Sequence, residues 1–257
     1  AFAYLMGAVS VVTFVAVDKT QFLSIMPQRI FAQLDVFAFM AMPLFILTAE
    51  IMSRAGVTRS LIDFAMSIVG RFRGGLGHVN ILTSVFFAGI SGSAIADSAA
   101  LSRTFVPEMK ARGYDPYYAG AITAASSMIG PIIPPSIIMI IYGGLTGASV
   151  AALFIAGVVP GLLLAVSLMV MNAVIAHVKG HPGGASDDLP RFLPSLLNAA
   201  PAICLPIVIL GSLVFGLATP TEGSAIAVFF ALIAGQFYKG LNWKMIFEAV
   251  EATAKMT

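Results

Sequence analysis

The sequence has 257 residues, 59% of them hydrophobic and only 10% charged, with a formal net charge of +2 and a mean hydropathy of +0.96. Soluble domains carry about 25% charged residues, so the composition excludes an ordinary soluble domain and specifies an integral membrane protein. The single cysteine, Cys204, leaves no disulfide framework or cysteine metal cluster, and reads as core filling. Nothing in the charge favours nucleic acid, and no G-x-x-x-x-G-K-[ST] pattern supports nucleotide hydrolysis.

In chain order, Phe2 to Val17 is an apolar run closed by Asp18 and Lys19. It lacks a basic n-region and reads as a truncated first span rather than a signal peptide. Residues 20–35, TQFLSIMPQRIFAQLD, read as an amphipathic connector at the interface. Val36 to Met52 is the second span, kinked at Pro43 because proline removes one helical hydrogen bond. Glu50 near its end reads as a residue reaching the interface, with a role in transport as the alternative. A polar turn from Arg54 to Arg59 leads to a short apolar helix over Leu61 to Gly70, ended by Arg71 and Arg73.

The stretch from Gly74 to Ser136 holds two apolar runs, one interrupted by Gly-Ile-Ser-Gly-Ser at 89–93 and the other by Gly-Pro-Ile-Ile-Pro-Pro at 130–135. Arg71 and Arg73 before the first run and Lys110 and Arg112 after it place both of its ends on the cytoplasmic side. Between Leu76 and Arg103 this leaves two limbs of roughly a dozen residues, short of the ~20 needed to cross a bilayer. The first run therefore reads as a re-entrant hairpin with its tip at Gly89 to Ser93, its limbs packed closely through Ala94, Ala96, Ala99 and Ala100. Tyr114 to Ile129, a break at Gly130 to Pro135, and Ser136 to Leu145 form one discontinuous span.

Ala148 to Val178 returns through Pro160 and Gly161 to an exposed linker over 177–191, rich in Gly, Pro and Asp. Pro194 to Gly216 crosses outward, ATPTEG reads as a turn, and Ala225 to Tyr238 crosses back to Lys239 and Lys244. This topology puts Arg54 and Arg59 on the outer side, against the positive-inside tendency. From Trp243 to Thr257, Ile246, Val250 and Ala254 stand opposite Lys244, Glu248, Glu251 and Lys255, the pattern of a helix lying on the membrane surface.

Irregular backbone at membrane depth is tolerated only where protein or a water-filled cavity surrounds it, and discontinuous helices in transporters use their free backbone groups to bind ions and substrate. Ser91 and Ser93 offer hydroxyl and carbonyl oxygens suited to a hard cation such as sodium. Gly130 and Ile133 lie where Pro131, Pro134 and Pro135 have no N–H to engage neighbouring carbonyls. Asp97, one turn beyond Ser93, is an intramembrane carboxylate and so a functional candidate, with local pairing to Arg103 as the alternative. Gly92, Ser126, Ser127, Pro134 and Ser136 complete the candidate substrate and ion pathway, with helix packing the competing role for Ser126 and Ser127. His78, His177 and His181 lack metal-ligand spacing. Gly89-Ile90-Ser91-Gly92 also matches the G-x-S-G of rhomboid intramembrane proteases, but no histidine is placed to activate Ser91.

The runs GGLGHVNILTSVFFAGISGSAIADSAAL, VPEMKARGYDPYYAGAITAASSMIGPIIPPSIIMIIYG, ALFIAGVVPGLLLA and ATPTEGSA, in this order, resemble the large membrane subunit of TRAP transporters, the DctM type. The resemblance covers nearly the whole chain. It implies an all-α polytopic membrane protein of the bacterial inner membrane, with no cofactor, importing an organic acid by sodium symport. Its partners would be a periplasmic substrate-binding protein and a small four-helix membrane subunit. It further implies two inverted repeats, each with a re-entrant hairpin and a broken helix, moving as an elevator against a scaffold. Residues 1–73 would then be scaffold-type helices and 74–146 the transport-domain hairpin and broken helix. Residues 147–257 would hold scaffold helices, a cytoplasmic linker and the start of a second repeat, whose own sodium position is absent. By the family's pattern Ser91, Ser93, Gly130, Ile133 and Pro135 hold the first sodium. A stand-alone sodium/carboxylate symporter of related fold is the alternative.

Overall fold

The computed structural model describes residues 2–183, 189–238 and 241–257. The apolar runs fold into helices α1 (Phe2–Ala16), α2 (Gln21–Ser24), α3 (Met26–Leu34), α4 (Ala41–Arg54), α5 (Val57–Val69), α6 (Gly75–Ser91), α7 (Ala94–Ala111), α8 (Pro116–Ser127), α9 (Ile137–Thr146), α10 (Val150–Lys179), α11 (Phe192–Val214), α12 (Pro220–Phe237) and α13 (Trp243–Met256). A 3-10 turn, Phe37–Met40, leads into α4. Among the described residues there is no strand. Among the described residues four helical stretches are long and apolar enough to cross a membrane: Phe37–Arg54, Val150–Lys179, Phe192–Val214 and Pro220–Phe237. On α10 the exposed side chains include Leu162, Leu163, Val166, Val170 and Val174, a surface that suits lipid and not water.

Two boundaries differ from the sequence expectation for local reasons. Pro43 stands in the first turn of α4, directly after the 3-10 turn, where the missing N–H has no helical partner to lose. The ATPTEG segment is not a separate turn. Thr219 and Glu222 form a capping box that starts α12 at Pro220, five residues before the expected boundary. The Thr219 hydroxyl accepts from the Glu222 amide at 3.3 Å and the Glu222 carboxylate accepts from the Thr219 amide at 2.7 Å, the reciprocal pairing that T-x-x-E encodes.

Two buried clusters organise the packing. One joins α4, α5, α11, α12 and α13 through Phe45, Ile51, Leu61, Leu205, Ile209 and Ala231. The other joins α6, α7, α8 and α10 through Val79, Leu101, Phe105, Met109, Ile122 and Leu168. Cys204 is exposed on α11 rather than buried in a core.

The direction of α4 sets the end of the bundle at which its basic residues lie. At one end of the α4/α12 pair the Thr221 hydroxyl donates to the Phe37 carbonyl at 3.4 Å. At the other, Arg54 donates to Glu248 of α13 at 2.8 Å and to Glu50 at 3.2 Å. Arg59 lines a cavity of about 670 Å³ together with Glu108, Arg112 and Pro190. Arg54 and Arg59 therefore share the end that carries Arg112 and α13, because α5 returns to that end instead of crossing. Glu50 belongs to the same ion-pair group. On α13, Ala249 and Thr253 are buried, whereas Trp243, Phe247 and Val250 are exposed. Lys239 and residues 184–188 of the expected linker lie outside the described residues.

Both ends of the α6/α7 hairpin meet the C-terminal end of α10. The Gly74 amide donates to the Pro182 carbonyl at 3.1 Å, and the Tyr114 hydroxyl donates to the same carbonyl at 3.2 Å. The limbs have 17 and 18 residues, longer than the dozen expected, yet at 1.5 Å per residue about 25 Å long, short of the ~30 Å hydrocarbon core. Cysteines replacing Arg73 and Lys110 are accordingly expected to react with a membrane-impermeant maleimide from one and the same face. Labelling from opposite faces would make the hairpin a span.

Candidate functional site

The tip of the hairpin is narrower than the sequence suggests. Gly89, Ile90 and Ser91 remain helical, and only Gly92 and Ser93 leave the helix. Gly92 takes φ +59° as the C-cap of α6, its amide donating to the Ala88 carbonyl at 3.2 Å. Only glycine adopts this left-handed conformation without cost, and a Cβ here would overlap the Pro135 carbonyl oxygen. Ser93 is extended and caps α7, its hydroxyl accepting from the Ala96 amide at 3.4 Å.

The break begins where α8 tightens into i→i+3 bonds, Met128 to Ala125, Ile129 to Ser126 and Gly130 to Ser127, at 3.1–3.2 Å. It ends at Ser136, which caps α9: its hydroxyl donates to the Pro131 carbonyl at 2.6 Å and accepts from the Met139 amide at 3.3 Å. Between them the peptide joining Pro134 and Pro135 is cis. Among the described residues no hydrogen bond reaches the carbonyls of Gly130, Ile133 or Pro135. Proline supplies no donor and the chain is not helical, so these oxygens stay available, that of Pro135 directly beside Gly92 of the tip.

Asp97 connects the two breaks. It is fully buried; its Oδ1 accepts from the Ser91 hydroxyl, and its Oδ2 lies 2.5 Å from where a Cβ on Gly130 would sit. The pairing with Arg103 weighed from sequence is not what binds it. Tip and break thus bring together Ser91, Gly92, Asp97, Gly130 and Pro135. Ser126 and Ser127 sit one turn below. The Ser84 hydroxyl donates to the Ser126 hydroxyl at 2.9 Å and the Asn80 amide nitrogen to the Thr123 hydroxyl at 2.6 Å, while Ser127 donates to the Thr123 carbonyl at 2.8 Å. This buried polar ladder glues α6 to α8, which makes packing the role its geometry supports for Ser126. Ser127 in addition borders an open groove of about 440 Å³ with Ser98, Ser102 and Met128. Ile133 packs against Gly161 of α10, leaving its carbonyl as the atom of interest.

Sequence reasoning missed Asn80, Ser84 and Thr123, although an amide and hydroxyls at spacings of three and four on apolar helices are a readable signal. It also missed Asn172, a lone amide in a 30-residue apolar helix. Asn172 is completely buried; it accepts from the Tyr118 hydroxyl at 2.6 Å and donates to the Gly74 carbonyl at 3.2 Å. Beside it His181 packs between the rings of Tyr114 and Tyr118, at centroid distances of 4.7 and 4.8 Å. Burial, and then the Lys179 charge, hold the His181 imidazole below its ordinary pKa, against the opposing pull of Asp115.

A protease centre does not form. His78 stands 13 residues before Ser91 on α6, about 20 Å along the helix, and His177 and His181 lie at the base. Among the described residues no three His, Cys, Asp or Glu side chains cluster as metal ligands.

Hairpin, broken helix and long apolar helices define a polytopic helical membrane protein. A family model described as "Tripartite ATP-independent periplasmic transporter, DctM component" matches residues 1–257, and the chain belongs to that family. It is 42% identical over 229 residues to the sialic acid TRAP transporter permease protein SiaT of Haemophilus influenzae, covering 88% of this chain and 37% of that protein. It is 38% identical over 231 residues to the sialic acid TRAP transporter large permease protein SiaM of Vibrio cholerae, covering 90% and 54%. To the C4-dicarboxylate TRAP transporter large permease protein DctM of Pseudomonas aeruginosa it is 36% identical over 254 residues, covering 98% and 58%. The chain thus spans between about a third and three fifths of the length of these curated relatives. These relatives are transporter permeases, not enzymes.

Proposed function

We propose that the chain acts within the large permease of a sodium-driven TRAP transporter that imports an organic acid across the bacterial inner membrane. A periplasmic binding protein would deliver the substrate and a small four-helix membrane subunit would complete the assembly. The observation that carries the sodium reading is the set of unengaged carbonyls at Gly130, Ile133 and Pro135, set against a tip that supplies Ser91 and Ser93. Carbonyl and hydroxyl oxygens replace the hydration shell of a hard monovalent cation. The substrate class rests on relatives whose names give sialic acid and C4-dicarboxylates, all carboxylates.

The reading extends to movement. Hairpin and broken helix, residues 74–146, form the body that would travel as an elevator, and α4 with α11 to α13 belongs to the frame. Helix α10, which sequence placed with the scaffold, packs its Gly157 and Gly161 on Ile132 and Ile133 and its Asn172 on Gly74. We assign it to the moving body. A re-entrant hairpin suits this because its tip meets the break inside protein, where irregular backbone is tolerated.

Uptake by the complete transporter in proteoliposomes tests the proposal. It is expected to need both sodium and the cognate binding protein. Ser91→Leu and Ser93→Leu are each expected to raise the sodium concentration for half-maximal uptake about tenfold, the effect of ~1.4 kcal/mol. An unchanged value in both variants would reject the assignment. Full-rate uptake without a binding protein would instead identify a stand-alone sodium/carboxylate symporter.

A further inference from the structure

We propose that Asp97 is the charged ligand of the cation held between hairpin tip and broken helix, its Oδ2 facing the ion beside the carbonyls of Gly130, Ile133 and Pro135. The inference rests on the sodium reading above and adds to it the group that supplies the countercharge.

Asp97 is 0% exposed and lies in the first turn of α7. An ionised carboxylate offers about four acceptor positions, yet the one contact it receives from a side chain is the Ser91 hydroxyl on Oδ1. Among the described residues Oδ2 has no hydrogen-bond partner, and no ion pair engages Asp97. A buried polar atom without a partner is costly, and this one is held against the backbone of Gly130, in the space that any other side chain at 130 would occupy. Glycine at 130 and aspartate at 97 are thus two halves of one arrangement, which sets a carboxylate oxygen against a residue whose carbonyl nothing else binds.

The electrostatics specify the occupant. Neutral carbonyl dipoles alone would leave a bound sodium with its full charge in a low-dielectric interior, which is strongly unfavourable. The positive end of the α7 dipole offsets only part of a negative charge. One carboxylate and one monovalent cation cancel, whereas a divalent ion would leave the site charged. The buried site between tip and break is then negative when empty and neutral when loaded, so that ion binding removes a buried charge before the body moves through the membrane. Ser91, bonded to Asp97 and within 3.3 Å of the Ser93 amide, passes on to the tip whatever Asp97 binds.

The competing role is a purely structural one, in which Asp97 stabilises the start of α7 and ties down Ser91. The two roles differ in what sodium does. The thermal unfolding midpoint of the purified complete transporter is measured against sodium concentration, with choline holding ionic strength constant. Asp97→Asn and Asp97→Ser are expected to raise the sodium needed for half-maximal stabilisation about tenfold or more, as loss of one charge-assisted contact implies. Asp97→Glu, which keeps the charge but displaces it by one methylene, is expected to fall between them and the parent. A lower midpoint at every sodium concentration with an unchanged half-effect would leave Asp97 a structural residue and overturn the proposal. So would a parental sodium requirement in Asp97→Glu, which decides the matter if both neutral variants fail to fold. Sodium stabilising neither parent nor variants would remove the sodium reading itself, a separate failure.

Discussion

Replacing Gly92 with valine is expected to abolish sodium-dependent uptake, and Gly92→Ala to weaken it in the same direction. Two costs add at this position. The backbone has φ +59°, which costs a residue with a Cβ about 1–2 kcal/mol, and the new Cβ meets the Pro135 carbonyl oxygen. That oxygen is one of the proposed ligands, so relief of the overlap must separate the tip from the break. Gly113 supplies the control, because it has φ +85° but open space around its Cβ position. Gly113→Ala therefore carries the conformational cost without the overlap. Comparing the sodium half-saturation of the two alanine variants isolates the contact between tip and break. At ~1.4 kcal/mol per factor of ten, Gly92→Ala should need at least about tenfold more sodium than Gly113→Ala. Equal values would mean that tip and break do not act as one site.

The second large effect is expected at Asn172, far from the tip. Asn172→Leu removes the acceptor of the Tyr118 hydroxyl and the donor to the Gly74 carbonyl, leaving both groups unpaired in the interior at about 1–3 kcal/mol each. Leucine adds a further cost, because Gly77 approaches Asn172 so closely that a Cβ on residue 77 would overlap the amide oxygen. A loss of about 2–6 kcal/mol follows, readable as a lower thermal midpoint of the purified protein. Sodium affinity should change little, since α6 separates this hub from the tip by about 25 Å. Tyr118→Phe removes one hydroxyl and leaves Asn172 bonded to Gly74, so its effect should be smaller. An Asn172→Leu variant as stable as the parent would show that the base of the hairpin is not held by α10.

Class and family of this protein were legible from the chain itself. Apolar runs of membrane length, and two clusters of Gly, Ser and Pro inside them, act over a few residues, because backbone conformation and missing amide donors are local properties. Gly92 leaves the helix and the Gly130–Pro135 segment breaks it for reasons that neighbouring residues settle. The start of α12 was equally local: the Thr219–Glu222 capping box is written in T-x-x-E, and counting it as a turn overlooked a readable signal.

Partners across helices were a different matter. That Asp97 binds Ser91 instead of Arg103, that its second oxygen rests on Gly130, and that Asn172 joins Tyr118 to Gly74 depend on how α6, α7, α8 and α10 pack. The end of the helix bundle at which Arg54 and Arg59 lie was decided by the pairing of Arg54 with Glu248, 194 residues away. Sequence determined where the chain bends and which polar groups enter the apolar interior. Only the tertiary structure decided which of those groups meet, because a buried polar atom takes whatever partner packing brings within about 3 Å.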